Sequence, residues 1–346
     1  MAGSRLELID PPAGKLLLIG AGPGDVAPFD PARTLVVQGF RPLHDAVAGQ
    51  GFRVLTAPAA GPEGRADAAV VFLPRARAEA RARIAAAAAA LAPGDALWID
   101  GQKTDGVDSV LRELRELAPV DQVQSRAHGK IFRVTLPAGA WLPPGWAWGQ
   151  HEIAGGFVTA PGVFSADGPD PASQALAAAL PERLPTRIVE LGAGWGWLAA
   201  QILTHPGVEQ LHLVEADHAA LECARRNITD PRAQFHWADA TTFRLSEPVN
   251  GVIMNPPFHE TRAADPHLGA RFIRAAAGLL TGAGRLWMVA NRHLPYEAVL
   301  AEHFGDVQEI GGDSRFKIIT ASGAGRKAPA GKGPGAGQPK TRRRRR

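Results

Sequence analysis

The sequence predicts an α/β protein with two tandem Rossmann-like domains. Along the 346 residues, short apolar strands alternate with helix-like segments twice, which is typical of parallel sheets covered by helices. A stretch rich in Trp, Pro and Gly, 139–149, interrupts the alternation, and the length exceeds that of one typical domain. We therefore expect domains at 1–140 and 141–322, followed by a tail at 323–346.

In the first half, strands and helices follow one another in the order expected for a parallel sheet. The expected strands are Lys15–Ile19, Thr34–Val37, Ala69–Phe72, Leu97–Asp100 and Ile131–Val134. The expected helices are Arg75–Leu91, whose alanine run has high helix propensity, and Val107–Leu117.

The second half has a clearer pattern and is expected to contain about seven strands, the last two forming an antiparallel pair. The expected strands are Arg187–Leu191, Gln210–Glu215, Gln234–Ala238, Gly251–Met254, Arg285–Ala290, Val307–Ile310 and Lys317–Thr320. The expected helices are Trp197–Thr204, Ala219–Asn227, Pro266–Leu280 with Asp265 as N-cap, and one from Pro295 onward.

Composition excludes several classes of protein. No apolar run approaches the roughly 20 residues that span a bilayer, and no secretory signal is visible at the N-terminus. Cys223 is the single cysteine, which excludes an internal disulfide and a multi-cysteine zinc site. We expect a cytoplasmic protein with no bound metal and no membrane partner.

The basic charge of the chain is concentrated in its tail. Nine of the 38 Lys and Arg residues lie between Arg326 and Arg346. The rest of the chain has 29 Lys and Arg residues and 34 Asp and Glu residues, so its net charge is negative. The tail is rich in Gly, Pro and Ala and has nothing to bury, so we expect it to be disordered. It is equally compatible with binding RNA phosphates and with a simple solubilising role.

The segment 190–196, Glu-Leu-Gly-Ala-Gly-Trp-Gly, lies between an expected strand and an expected helix. Glycines at alternate positions allow a tight turn and let a ligand approach the backbone at the strand's carboxyl end. A purely structural turn can share this spacing. Gly20–Gly24 shows a similar pattern without the acids described next.

Acidic residues follow the next two strands of the second half. Glu215 ends one strand, where a carboxylate can accept hydrogen bonds from both ribose hydroxyls of a nucleoside, and Asp217 is an alternative for this role. Asp239 follows the next strand, where a carboxylate can accept from an adenine amino group. Each acid alone could be a helix cap, but their order behind Glu190 and the glycine turn favours a nucleoside site.

The segment Asn255-Pro256-Pro257-Phe258 follows the fourth strand of the second half. An amine conjugated to a ring is a poor nucleophile because its lone pair is delocalised. The Asn255 side-chain oxygen and the Pro256 carbonyl can accept its N–H hydrogens and favour a pyramidal nitrogen, while Phe258 offers a face for stacking a base. A rigid Pro-Pro loop with a core Phe is the alternative interpretation.

At these residues the chain resembles the class I methyltransferases that modify exocyclic or amide nitrogens. Further segments are similar to the ribosomal RNA small-subunit methyltransferase C family, which methylates guanine N2 in 16S rRNA. In the second half these segments are 160–165, 255–259, 289–291, 294–296 and 314–317. The first half resembles that family's degenerate methyltransferase-like domain around Phe72-Leu73-Pro74 and Gly106-Val107.

This resemblance implies a catalytic second domain that uses S-adenosyl-L-methionine and acts on ribosomal RNA or the small ribosomal subunit. The sequence does not reveal the oligomeric state, and we expect a monomer. It assigns cofactor binding to Glu190, Gly192, Gly194, Gly196, Glu215 and Asp239, and the catalytic role to Asn255, Pro256, Pro257 and Phe258. Two departures from the family pattern are Glu-Leu-Gly in place of Asp-Val-Gly and the bulky Trp195 inside the turn.

Three other functions stay open from the sequence. They are methylation of a large-subunit rRNA guanine, methylation of a protein glutamine, and binding of RNA without catalysis. The Asn-Pro-Pro segment serves a glutamine amide equally well, although Tyr rather than Phe then usually follows it. The intact glycine, acid and Asn255 positions argue against a non-catalytic factor.

Overall fold

The computed structural model describes residues 5–9, 13–257 and 266–325. They form two compact units, each built on a seven-stranded sheet. The first unit extends to residue 168 and includes residues 216–227, and the second contains 169–215 and the residues from 228 onward. The predicted fold class, two tandem α/β domains, is confirmed.

The first unit has the strand order β3-β2-β1-β4-β5-β7-β6. Its elements are β1 (Leu16–Ile19), β2 (Thr34–Val37), α1 (Arg41–Ala48), β3 (Arg53–Leu55), β4 (Ala68–Phe72), α2 (Arg77–Ala89), β5 (Ala96–Gln102), α3 (Val107–Leu117), β6 (Val120–Arg126) and β7 (Gly129–Thr135). A short antiparallel pair follows, β8 (His151–Glu152) with β9 (Val158–Thr159).

The second sheet has the equivalent order, β12-β11-β10-β13-β14-β16-β15. Its elements are α4 (Pro171–Ala179), β10 (Arg187–Leu191), α5 (Trp197–Leu203), β11 (Gln210–Glu215), β12 (Ala233–Trp237), β13 (Val249–Met254), α7 (Pro266–Leu279), β14 (Leu280–Asn291), α8 (Glu297–His303), β15 (Phe304–Gly312) and β16 (Phe316–Ala324). Helix α6 (His218–Asn227) lies between β11 and β12 in the chain and packs within the first unit.

The central strands are buried on both faces, which explains their unbroken apolar sequences. Every residue of β1 and β4 is buried, as are the last four residues of β10 and β13. Strand β10 pairs in parallel with both β11 and β13. Since parallel strands end at the same edge of a sheet, the segments that follow these three strands are brought together there.

The structure also contains elements that the sequence pattern did not predict. Strand β6 lies at the edge of its sheet and is mostly exposed, so it has no apolar alternation, and β3 has only three residues. Helix α1 begins with Arg41-Pro42, while α4 has Asp170 as its N-cap and Pro171 at its first position. The predicted N-cap Asp265 lies outside the described residues.

The last strand is longer than predicted. Strand β16 continues to Ala324, where it pairs with Phe304, because the antiparallel ladder with β15 extends that far. It therefore includes two residues of the expected tail, and the basic residues from Arg326 onward lie outside the described part. Among the described helices, none is long and apolar enough to cross a bilayer.

Candidate active site

The glycine turn of the second unit joins β10 to α5. Gly192, Gly194 and Gly196 have φ values of +78°, +55° and +90°, a backbone conformation that other residues adopt only with strain. The N–H of Gly192 donates to the carbonyl of Val214 at 2.9 Å, which ties the turn to the end of β11. Trp195 is only 4% exposed, so its bulk is accommodated in the protein interior.

Glu215, the last residue of β11, contacts this turn directly. Its Oε2 accepts a hydrogen bond from the backbone N–H of Gly194 at 2.8 Å. Asp217 has a different role, since its Oδ1 accepts from the N–H of Ala219 at 2.9 Å in the first turn of α6. Burial raises the pKa of Asp217 to about 6. The geometry thus favours Glu215 over Asp217 as the acid that faces a ligand at the turn.

Glu190 lies in the middle of the sheet and is 2% exposed. Burial raises the pKa of its carboxyl well above the usual value, and the charge of Glu215 raises it further. Its Oε2 has no hydrogen-bond partner among the described residues. A buried polar atom without a partner is costly, and such atoms often mark a position where a ligand binds.

Asp239 follows β12 and is held by its own turn. Its Oδ1 accepts from both the N–H and the hydroxyl of Thr241, at 2.8 and 2.7 Å, and its backbone carbonyl accepts from the N–H of Phe243 at 2.9 Å. These bonds fix the carboxylate while Oδ2 can accept from a ligand. Glu190 and Glu215 thus lie near the ends of β10 and β11, and the glycine turn and Asp239 follow β10 and β12. These adjacent strands end at one edge of the sheet.

Asn255 directly follows β13 at the same edge. Its Nδ2 donates to Oδ2 of Asp170 at 2.9 Å and to Oγ of Ser173 at 2.8 Å, both at the start of α4. Its Oδ1 is buried and has no partner among the residues that the structure describes. Pro256 is buried and Pro257 exposed.

Phe258, the fourth residue predicted to be catalytic, lies outside the described residues, so its role stays a prediction. Conversely, sequence analysis did not predict any role for Asp170 or Ser173. The Asp-Pro pair at 170–171 is a readable helix start. Nothing in the sequence, however, connects that start to Asn255, which is 85 residues away.

The first unit has the same backbone arrangement with different side chains. The N–H of Gly20 donates to the carbonyl of Val37 at 2.9 Å, as that of Gly192 does to Val214. The residue after Val37 is Gln38, where the second unit has Glu215. Its Nε2 donates to the carbonyl of Ala21 at 3.0 Å, so an amide that is bonded to the turn stands where a carboxylate would be.

Two further replacements remove the features of a ligand site from the first unit. Phe72 stands where the second unit has Asn255, and it is buried in the apolar core. The strand registers fix this equivalence, because Val71 pairs with Ile19 as Met254 pairs with Leu191. The guanidinium of Arg83 lies against Gly20, where a Cβ would be only 1.8 Å from Nη1. Arg83 is fixed there by the carbonyl of Phe72 at 2.9 Å and by Glu79 at 2.6 Å.

Comparisons with known proteins identify two family segments along the chain. Residues 154–320 match the methyltransferase small domain family, and residues 43–140 match the methyltransferase small domain N-terminal family. The chain is 32% identical to the ribosomal RNA small subunit methyltransferase C of Chromohalobacter salexigens, covering 81% of this chain and 82% of the relative. It is 30% identical to that of Hahella chejuensis, covering 74% and 77%.

A solved structure with the same architecture is the T. thermophilus 16S rRNA N2 methyltransferase (RsmC) in complex with AdoMet and guanosine. It superimposes with a TM-score of 0.77 at 26% identity, covering 92% of this chain and 90% of that one. The length of the match, the two units and the identity to curated relatives lead to one assignment. The chain belongs to the ribosomal RNA small subunit methyltransferase C family.

Proposed function

We propose that this protein methylates the exocyclic N2 amine of a guanine in 16S ribosomal RNA, using S-adenosyl-L-methionine. The observation that carries the proposal is the amide of Asn255, whose nitrogen is held by Asp170 and Ser173 while its oxygen is buried without a partner among the described residues. The relatives named as small subunit methyltransferase C, and the T. thermophilus enzyme solved with AdoMet and guanosine, support the same activity.

The residues at the sheet edge fit S-adenosyl-L-methionine. The left-handed glycines 192, 194 and 196 let a ligand approach the backbone of the turn, and the fixed carboxylate of Glu215 is suited to the ribose hydroxyls. Asp239 offers an acceptor for the adenine amino group, and Glu190 has a buried oxygen that lacks a partner in the described part. When bound, the cofactor supplies an electrophilic methyl group.

The residues after β13 address the difficulty of methylating guanine N2. The lone pair of this amine is delocalised into the ring, so the amine is a weak nucleophile. Asn255 Oδ1 and the Pro256 carbonyl accept its N–H hydrogens and favour a pyramidal nitrogen whose lone pair faces the methyl group. No strong base is needed, because the N–H becomes acidic once the nitrogen carries positive charge and its proton would pass to water. The cofactor would leave as S-adenosylhomocysteine. Most of the acceleration then comes from positioning.

The two units have different roles in the proposed reaction. The second unit holds the cofactor and the target amine. The first unit binds no cofactor, since Gln38, Phe72 and Arg83 replace or fill the corresponding positions, and it helps to hold the RNA. The substrate is 16S rRNA, free or within the small ribosomal subunit, and the reaction takes place in the cytoplasm by a monomeric enzyme.

Mapping the methylated nucleotide tests the proposal. Purified protein is incubated with isotope-labelled S-adenosyl-L-methionine and total ribosomal RNA from a strain that lacks the gene, and the products are mapped by mass spectrometry. We expect one labelled N2-methylguanosine in 16S rRNA, with guanosine 1207, the site named for the T. thermophilus enzyme, as the first position to inspect. Label in 23S rRNA or in a protein glutamine would contradict the proposal, as would cofactor binding without any transfer.

A further inference from the structure

The Asn255 side chain is held by one rigid corner of the fold, the first turn of α4. Asp170 is the N-cap of this helix, and its Oδ2 accepts from the backbone N–H of Ser173 at 2.8 Å. The same oxygen accepts from Asn255 Nδ2 at 2.9 Å, and Ser173 Oγ lies 2.8 Å from that nitrogen. Two side chains of one helix turn therefore bind one end of the amide.

This arrangement determines which way the amide faces. The oxygen and nitrogen ends of an asparagine amide are nearly equal in size, so packing alone selects neither. A carboxylate, however, can only accept hydrogen bonds. Turning the Asn255 amide by 180° would set its Oδ1 against Oδ2 of Asp170, with two acceptors in contact and a buried NH₂ group left without an acceptor. The oxygen end must therefore face away from α4.

We propose that Asp170 and Ser173 are positioning residues for methyl transfer, which keep the Asn255 oxygen directed at the target amine. The inference rests on the proposed function, in which that oxygen accepts an N–H of the guanine amine. The two residues act through Asn255. They exclude the inverted amide, which would present a donor to a donor and repel the substrate.

The helix start is well suited to this task because it is rigid before the substrate binds. Asp170 is fixed by its capping bond, and Pro171 at the first helical position restricts the backbone. A preorganised acceptor needs no reordering during the reaction. The contribution of Ser173 is separable from folding, since the cap uses its backbone N–H whereas Asn255 uses its Oγ.

Three substitutions separate orientation from helix capping. Ser173→Ala removes only the Oγ acceptor and leaves the cap. Asp170→Ser keeps a good N-cap residue but shortens the side chain and removes the carboxylate that Asn255 bonds. Asp170→Asn keeps both the cap and an oxygen that can accept from Asn255, so it serves as the conservative rescue. Thermal unfolding of each variant verifies that the helix start is intact.

The readout is the single-turnover rate of 16S rRNA methylation, with cofactor and RNA affinities measured separately. We expect Asp170→Ser to slow transfer at least about tenfold and Ser173→Ala roughly threefold, the scale of a lost charged and a lost neutral hydrogen bond. Asp170→Asn should lie between wild type and Asp170→Ser. The dissociation constant for S-adenosyl-L-methionine should stay within about twofold for all three.

A double-mutant cycle with Asn255→Ala decides whether the two residues act through Asn255. In that background, Asp170→Ser and Ser173→Ala should cause no further loss beyond about twofold. Losses that multiply would overturn the inference, as would wild-type rates in both single variants. If Asp170→Ser does not fold, Ser173→Ala alone decides by the same cycle.

The failure of this inference and that of the proposed function give different results. A wild-type enzyme that methylates no guanine N2 in 16S rRNA refutes the proposed function and the inference with it. A wild-type enzyme that is active and strongly slowed by Asn255→Ala, but indifferent to Ser173→Ala and Asp170→Ser, leaves the function intact and refutes only the positioning role.

Discussion

The backbone N–H of Gly194 donates a hydrogen bond to Oε2 of Glu215 at 2.8 Å. This bond connects the turn after β10 to the end of β11, and it places a negative charge beside the left-handed glycine backbone. In the first unit the hydrogen bond runs in the opposite direction, because the side chain of Gln38 donates to the carbonyl of Ala21 in the turn. The same backbone geometry thus presents a carboxylate in the second unit. In the first unit it presents an amide that is already hydrogen-bonded to the turn.

The first prediction concerns Glu215. Glu215→Ala should weaken S-adenosyl-L-methionine binding by about 2–3 kcal/mol, because a charged acceptor for the ribose hydroxyls is lost. Calorimetric titration measures the change. Glu209→Ala is the matched control, since Glu209 is exposed and immediately precedes the other end of β11, and its affinity should equal that of wild type. Unchanged affinity in Glu215→Ala would leave Asp217 as the candidate acid.

The second prediction concerns pH and Asp217. Burial raises the pKa of this carboxyl from 3.8 to about 6, with the charge of Glu79 adding to the effect and the N–H of Ala219 opposing it. An acid whose pKa is raised on folding contributes stability below its unfolded pKa, and that contribution is lost as pH rises through about 6. Asp217→Asn retains a capping side chain without this loss.

Denaturant unfolding of wild type and Asp217→Asn between pH 4 and pH 8 tests this. The free energy of unfolding of the variant minus that of wild type should increase as pH rises from about 4 to about 6. Above about pH 6 this difference should stay constant. Asp313→Asn provides the opposite control, because backbone N–H groups of Phe316 and Arg315 lower the pKa of Asp313. A difference between Asp217→Asn and wild type that does not vary with pH would refute the assignment.

The third prediction is that the chain binds one cofactor molecule. The first unit has Gln38 and Phe72 where the second has Glu215 and Asn255, and Arg83 fills the space beside Gly20. Titration with S-adenosyl-L-methionine should give a stoichiometry of one per chain. A stoichiometry near two would show that the first unit retains a functional cofactor site.

The fourth prediction concerns the basic tail. Strand β16 ends at Ala324, so truncation after Gly325 removes nine Lys and Arg residues and no part of the sheet. Folding and cofactor affinity should be retained. RNA affinity should fall and depend less steeply on salt, because fewer counterions are released on binding.

The control for the truncation replaces Arg342–Arg346 with Gln and keeps the length of the chain. It should show an intermediate loss of affinity and an intermediate salt slope, since five of the nine charges are removed. RNA affinity and salt dependence that are the same in the full, substituted and truncated chains would mean that the tail only solubilises the protein.

The sheet strands were predictable where burial on both faces leaves a continuous apolar sequence. Strands β2, β10 and β11 lie at the residues expected. Strand β6 was missed because its side chains are largely solvated at a sheet edge, so hydrophobic periodicity is absent. The last strand was predicted to end at Thr320 but continues to Ala324, because pairing with β15, rather than apolar content, keeps these residues in β16.

The arrangement of the candidate site was predictable where a local backbone requirement fixes the residue type, as with the left-handed glycines of the turn. It was also predictable where an acid ends a buried strand, as with Glu215 beside that turn. The hydrogen bond from Asn255 to Asp170 was not predictable, because it joins residues 85 positions apart and depends on the relative placement of α4 and β13. The guanidinium of Arg83 beside Gly20 is a contact of the same kind. Such side-chain contacts are set by three-dimensional packing, which a single sequence does not reveal.

The last prediction concerns Asn255 itself. If its oxygen aligns the target nitrogen, its contribution belongs mainly to the transition state, so Asn255→Ala should retain cofactor and RNA affinity while single-turnover methylation falls about 100-fold or more. Phe258→Ala should also weaken RNA binding, because a stacking face contributes about 1–3 kcal/mol to holding a base. Asn250→Ala, at an exposed position near the other end of β13, is the amide control and should keep the wild-type rate. Near-wild-type turnover by Asn255→Ala would mean that Asn255–Phe258 forms only a rigid loop, and the proposed methylation of guanine N2 would lose the observation that carries it.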